Sequence, residues 1–512
     1  MKSNIAKSAL WVTVSEIFFN LSGFIIHSIL GRILGPADYG RYGLVVTLTT
    51  MVIVLIGNGI PTAMAKYISE VFETNPRMVL KIKNQAITLQ TAIIGVITLI
   101  FYFSSGLISR ALGDPTLAPL FRFSTLIIPA FAAASFYFSY YTGLHKFNTQ
   151  ATLKTVRSIL RIGFVVGLAL IFGLKGSISG YVIAPFSVFV IAYLIDKFKI
   201  SKELESRIVE TRLIASLPEE SSFDWRKLVN YGWQVVVFFL AYELLISIDL
   251  YMVKALLHDD VLTGVYNASL TVGRIPYYIF YSMTIFLLPM VSKASTNNKL
   301  KNAKSIIDNA LRIMLILLVP MIVLMSAYSQ QILQLLYGKK YLAGAVPMSV
   351  LVYGVGFLTI FYVLSFAMNG AAKTKTAMAI SALGLGINTV LNYFFIQKMG
   401  ILGSAYATTI TSFIIMLAML YFIKKDFNAG IRIVEFLKVF FAGIIAYLLT
   451  IILPSGKYMF IVTALIVFAI YILILYATKG LTKEDVGYFM SMVKKRKKEE
   501  VAEELSGNEP GA

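Results

Sequence analysis

The chain has 512 residues, of which 58% are hydrophobic and 14% charged, and its mean hydropathy is +0.77; soluble domains carry roughly 25% charge, so a polytopic membrane protein is expected. The absence of Cys excludes disulfides, Cys zinc sites and iron–sulfur clusters, and His27, His145 and His258 are too scattered to form a metal-binding motif. The net charge of +20 does not point to nucleic acid, because its distribution has a better explanation.

Apolar runs of about 20 residues each suffice to cross a bilayer. About fourteen are predicted: near 9–34, 42–67, 84–108, 117–143, 151–172, 177–196, 228–254, 262–291, 306–328, 345–369, 376–397, 401–423, 434–453 and 458–478. The first is long enough to span, so no cleavable signal is expected. With a cytosolic N-terminus, most Lys and Arg fall in inside loops, as at Arg77/Lys81/Lys83, Lys293 to Lys304, Lys373/Lys375 and Lys424/Lys425. The excess of positive charge is therefore mainly a topology signal, with both termini cytosolic.

A polar stretch, 198–225, separates six spans from eight. The expected organisation is an N-lobe at 1–197, this cytosolic linker, a C-lobe at 226–425, two further helices at 426–480 and a charged cytosolic tail at 481–512. The tail, with KKRKKEE at Lys494–Glu500, reads as a surface helix followed by disorder. Its basic cluster is either a stop-transfer flank or a contact for anionic headgroups.

The two halves repeat. Gly143, Lys146, Gly173, Gly176 and Ser177 match Gly370, Lys373, Gly400, Gly403 and Ser404 at a constant offset of 227. Gly40 and Tyr42 match Gly264 and Tyr266 at 224, and Gly113 and Ala118 match Gly338 and Ala343 at 225. Six spans per unit make this a parallel repeat about an axis along the membrane normal. Two six-helix lobes around a central cleft suggest alternating access, with spans 13 and 14 peripheral.

Polar residues inside spans are costly and mark bundle interiors or aqueous paths. Span 1 carries Glu16, Asn20, Gly23 and His27 on one face, and span 8 carries Asn267, Thr271, Arg274, Tyr278 and Tyr281 on another. Pro276 should weaken or bend the helix beside Arg274. Small and polar residues also glue helices together, which suits the Thr and Gly positions; Glu16 and Arg274 are assigned to the cleft. Span 7 carries Glu243, Asp249 and Lys254. Glu243 and Asp249 point about 120° apart and cannot both face one cleft squarely, and Lys254 is expected to snorkel. Asp249 can either pair with Arg274 or bind a coupling cation, with Glu16 and Glu243 as weaker candidates. Span 5 opens with Lys154, Arg157 and Arg161 on one face, Arg161 lying about 16 Å along the helix. Guanidinium groups suit phosphate, and the repeat turns these three positions into Ser381, Gly384 and Asn388, so the basic patch belongs to one lobe.

GRILGPADYGRYGL at Gly31–Leu44, GNGIPTAMAKYISE at Gly57–Glu70, and the pattern around Asp249 and GVYNA at Gly264–Ala268 resemble Wzx-type oligosaccharide flippases. These belong to the multidrug/oligosaccharidyl-lipid/polysaccharide exporter superfamily. The resemblance covers nearly the whole chain. It implies an all-α, MATE-like fold of about 14 transmembrane helices, with two pseudo-symmetric six-helix lobes and two extra C-terminal helices. It also implies a non-enzymatic, multi-pass protein of the cell membrane that moves a lipid-linked oligosaccharide, on a polyprenyl phosphate or pyrophosphate carrier, from inner to outer leaflet. Arg161, Arg274, Lys154, Arg157, Tyr278 and Asn267 are then the expected substrate contacts. No catalytic residue, metal or organic cofactor is expected; a coupling proton or Na+ is. The expected partners are the lipid-linked oligosaccharide, membrane lipids and a glycan polymerase or transferase, for a monomeric protein that binds no nucleic acid. A multidrug exporter and a lipid II flippase are the alternatives that share the fold.

Overall fold

Membrane-length apolar runs satisfy their backbone polar groups internally only as helices or closed barrels, and here they form helices. In a computed structural model, residues 2–73, 75–214, 223–296, 300–371, 373–456 and 458–481 are described; the expected surface helix and disorder of the tail lie outside them. The chain divides into two compact units, Lys7–Ser247 and Met1–Ala6 with Ile248–Ala512.

The first unit contains most of α1 (Lys2–Asn58), then α2 (Ile60–Val71), α3 (Pro76–Ala111), α4 (Ala118–Ser124), α5 (Ile127–Gly143), α6 (Phe147–Ile195) and α7 (Ser201–Ile214). α1 is two limbs joined at Gly35 (φ 73, ψ 172), with Pro36 opening the second at a position where its missing N–H costs nothing. α6 is likewise two limbs that turn at Gly173. The core gathers Met64 and Ile68 of α2, Ile82 of α3, Tyr137 and Tyr141 of α5 and Val188 of α6. The polar stretch expected as a linker from 198 begins inside a wide helical turn (Asp196–Ile200) and continues as α7. Buried Leu204 joins α7 to the core, and Arg207 and Glu203 face each other along it at 3.8 Å.

α8 (Arg226–Leu257) crosses from the first unit into the second. The second unit continues with α9 (Asp260–Gly273), α10 (Ile275–Thr296), α11 (Leu300–Ala327), α12 (Ser329–Leu336), α13 (Ala345–Gly370), α14 (Thr374–Met399), α15 (Ile401–Phe427), α16 (Ile433–Ile452) and α17 (Met459–Ala477). α13 is its axis: it packs on α9, α10, α11 and α15 and is buried along nearly its whole length. α16 and α17 pack on each other and on α11, and the Tyr471 hydroxyl of α17 donates to the Ile316 carbonyl of α11 at 3.0 Å.

Ten helical stretches among the described residues are long and apolar enough to cross a membrane. Dividing two of them at Gly35 and Gly173, and adding α8 and the α9–α10 pair, brings the total to about fourteen. Phe103, Ile171 and Ile452 are about three-quarters exposed, as side chains facing lipid should be.

The repeat is visible in the backbone. An added Cβ at Gly176 would lie 2.0 Å from the Leu168 carbonyl oxygen, and one at Gly403 would lie 2.1 Å from that of Phe395. Both the glycines and the obstructing residues are 227 apart. The paired lysines also share a role: Lys146 binds Glu203 at 2.9 Å and Lys373 binds Asp426 at 2.8 Å.

Candidate functional site

In the first unit, the first limb of α6 carries Lys154, Arg157 and Arg161. Arg157 and Arg161 are buried, and Lys154 is half-buried. Arg161 donates from Nη2 to the Ser22 hydroxyl at 2.6 Å and to the Phe19 carbonyl at 2.8 Å. Its guanidinium lies 4.2 Å from the Phe19 ring centroid and 5.9 Å from that of Tyr181. Arg157 sits among the rings of Phe19, Phe131 and Phe138 at 4.4, 4.7 and 4.8 Å. Aromatic faces attract a cation electrostatically, and both guanidinium groups are held among rings inside the unit. The Arg161 Nε has no hydrogen-bond partner among the described residues, and on α1 the His27 Nδ1 lies 2.9 Å from the Tyr39 hydroxyl. Tyr42 contacts the rings of both His27 and Tyr181 and lies within the field of Arg161. Glu16 lies on α1; its side chain is outside the described set. Glu243 is half-buried on α8.

In the second unit, Asp249 is fully buried. One carboxylate oxygen accepts the Leu250 N–H at 2.8 Å, and the other accepts the Tyr266 hydroxyl at 2.9 Å and the Thr408 hydroxyl at 3.4 Å. The Ser404 hydroxyl is 3.1 Å from that of Tyr266 and donates to Asn392 Oδ1 at 2.7 Å. The Asn392 amide bonds the Asn388 side chain, and Asn388 Nδ2 reaches the Thr408 hydroxyl at 3.5 Å. Asp249 of α8 and five side chains from α9, α14 and α15 thus close a polar circuit. Its oxygens suit a hard cation or a proton. Arg274 lies close enough to act on the charge of Asp249. It occupies the break between α9 and α10, where the chain stays near helical (φ −81, ψ −1), two residues before Pro276. Asn267 is buried, and its Nδ2 has no hydrogen-bond partner among the described residues. Tyr278 is partly exposed and packs edge-on against Tyr277 at 5.5 Å. Lys254 does not snorkel: it is buried, and its ammonium binds Asp260.

Arg157 and Arg161 are therefore brought together in one unit, and Asp249 with Arg274 in the other. Sequence reasoning missed Ser22, Tyr39 and Tyr181 in the first, and Tyr266, Asn392, Ser404 and Thr408 as a set in the second. A signal existed. The offset of 227 carries Arg161 and Tyr181 onto Asn388 and Thr408, and the offset of 224 carries Tyr42 onto Tyr266. One place in the fold holds a stacked cation in one unit and an oxygen circuit in the other.

A helical membrane protein made of two homologous units, with buried ionic groups in each, has the architecture of a secondary transporter. The chain belongs to the polysaccharide biosynthesis protein family, which matches residues 5–295. The lipid II flippase MurJ family also matches, over residues 226–479. Among relatives, it is 21% identical to an uncharacterized membrane protein of Methanocaldococcus jannaschii, over 97% of this chain and 99% of that one. It is 23% identical to stage V sporulation protein B of Bacillus subtilis, over 85% and 86%. It is 21% identical to the probable low-salt glycan biosynthesis flippase Agl15 of Haloferax volcanii, over 39% and 42%. Two solved structures share the fold. A lipid II flippase MurJ in an inward closed conformation gives a TM-score of 0.71 at 17% identity, covering 91% of this chain and 98% of that one. An inward-facing multidrug resistance MATE family transporter gives 0.64 at 11%, covering 83% and 98%.

Proposed function

We propose that this protein is a flippase that moves a lipid-linked oligosaccharide, carried on a polyprenyl phosphate or pyrophosphate, from the inner to the outer leaflet of the cell membrane by alternating access. The observation that carries the reading is the burial of Arg161 inside a membrane-spanning helix, against the Phe19 ring and bonded to two neutral acceptors, the Ser22 hydroxyl and the Phe19 carbonyl, with Arg157 buried one turn before it. A phosphate cannot enter hydrocarbon uncompensated. Guanidinium groups with neutral partners gain by exchanging them for an anion, because charge-assisted hydrogen bonds are about twice as strong. Lys154 on the same face guides the headgroup in; Arg274, Asn267 and Tyr278 are the further candidate contacts. The match to a lipid II flippase family model and to a probable low-salt glycan biosynthesis flippase supports a carrier rather than an enzyme.

The Asp249 circuit is the proposed site of a coupling ion, Na+ or a proton, with Glu16 and Glu243 as weaker candidates. Both termini are cytosolic in this reading, and the protein acts as a monomer beside a glycan polymerase or transferase. A multidrug exporter shares the fold but carries amphiphilic cations, which two buried arginines disfavour; a lipid II flippase differs only in cargo. The test is leaflet-resolved flipping of a polyprenyl-phosphate-linked oligosaccharide in proteoliposomes, with and without Na+ and proton gradients. Transport of an amphiphilic cation in place of the glycolipid would overturn the reading.

A further inference from the structure

At one end of the second unit, the first turns of α11, the α15–α16 turn and the end of α17 enclose a cavity of about 900 Å³. Six cations line it: Lys304, Arg312, Lys424, Arg432, Lys438 and Lys479. Only two carboxylates line it, and both are already engaged. Glu435 is shared by Arg312 and Arg432, each at 3.2 Å, and Asp308 accepts the Gly430 N–H at 2.8 Å. The lining therefore keeps a formal excess of four positive charges.

The cations are built in. Arg312 donates to the Gly480 carbonyl and Lys438 to that of Lys479, both at 3.3 Å, so α11 and α16 together cap the negative end of α17. Asn428 and Lys479, which end α15 and α17, both take left-handed backbone (φ 52 and 54), turning the chain so that Lys424, Arg432 and Lys479 stand at the rim, all three exposed. Immediately beside them Ile433 and Val434 also line the cavity and are mostly exposed. A positively charged hollow with an apolar lip at a membrane boundary matches a molecule with an anionic head and aliphatic chains. It fits a free inorganic anion poorly, because such an ion leaves the apolar lip wet.

We propose that this cavity binds the phosphate headgroup of an anionic phospholipid from the leaflet at that end, with the acyl chains lying along α16. The site uses α16 and α17, which the internal repeat leaves out, and none of the residues assigned to cargo or coupling. The shared chemistry, a phosphate head on aliphatic chains, also describes the polyprenyl phosphate carrier, and the experiment separates the two.

The full-length protein, delipidated in detergent, is titrated separately with phosphatidylglycerol, phosphatidylcholine and a polyprenyl phosphate, and retained lipid is read by native mass spectrometry. The variant is Lys424→Gln/Arg432→Gln/Lys479→Gln, whose exposed positions leave the packing intact; Lys175→Gln/Lys398→Gln is the control. Wild type and control should prefer phosphatidylglycerol to phosphatidylcholine, and the triple variant should lose that preference by roughly tenfold or more. Its polyprenyl phosphate binding should be unchanged. Equal retention of the two phospholipids by wild type, or an unchanged preference in the triple variant, overturns the proposal. So does a loss confined to polyprenyl phosphate, which would give the cavity to the carrier.

Discussion

Gly173 and Gly400, 227 positions apart, hold one backbone conformation, φ 57, ψ −135 and φ 58, ψ −138. Each turns one membrane span into the next within its own unit, and each lies where a side chain is strained whatever space surrounds it. Gly173→Ala and Gly400→Ala should therefore each cost roughly 1–3 kcal/mol. Gly167→Ala and Gly386→Ala, at helical positions where an added Cβ meets nothing within 4 Å, should be neutral or stabilising by up to about 1 kcal/mol. Apparent melting temperatures in detergent check this; equal shifts in all four variants would remove the conformational explanation.

Lys83 and Asp196 form an ion pair in which the side chains are 9% and 4% exposed, with the Lys83 ammonium 4.7 Å from the Tyr140 ring centroid. Removing one partner strands a buried charge, whereas removing both does not. Lys83→Met should destabilise by about 3–5 kcal/mol, and adding Asp196→Leu should recover most of the loss. Detergent melting of the two singles and the double gives the coupling; additive losses would mean that the pair contributes little.

The spans, the repeat at an offset of 227 and the Lys154/Arg157/Arg161 face were legible in the sequence because each is a periodic or constant-offset signal. Lys83 and Lys254 were not, since a lysine near the end of an apolar run looks the same whether it reaches water or a buried carboxylate. Asp196 looked like the polar end of the sixth span because the wide helical turn after α6 has no composition of its own. The circuit around Asp249 was hidden for another reason. Asn388, Asn392, Ser404 and Thr408 are small polar residues of the kind that join any two membrane helices, and only the folding of α14 and α15 against α8 and α9 gives them one carboxylate in common.

That circuit makes a prediction about coupling. Asp249→Asn keeps the shape and the Tyr266 contact but removes the charge that a cation requires. Flipping in proteoliposomes should continue down a glycolipid gradient and lose its dependence on the ion gradient. Thr408→Val and Asn388→Leu should weaken the same dependence, because each removes a polar group from the circuit. Gradient-driven transport at the wild-type level in Asp249→Asn would leave Asp249 as a structural partner of Tyr266 and Arg274.

The cargo prediction rests on Arg161. Its Nη2 is bonded to Ser22 and Phe19, while its Nε meets no acceptor among the described residues. An incoming phosphate can take that Nε–H and compete for Nη2. A hydrogen bond to a charged group contributes about 1.5–3 kcal/mol, so Arg161→Ala should weaken headgroup binding by roughly 10- to 100-fold. Arg161→Lys keeps the charge and loses the fork, and should fall between wild type and alanine. Ser22→Ala removes only a neutral acceptor and should leave binding nearly unchanged or slightly tighter, since Arg161 then has less to give up. That ordering separates a ligand-binding arginine from a structural one. If Arg161 served only to tie α6 to α1, Ser22→Ala and Arg161→Lys would destabilise the protein together, and headgroup affinity measured on the folded fraction would not change.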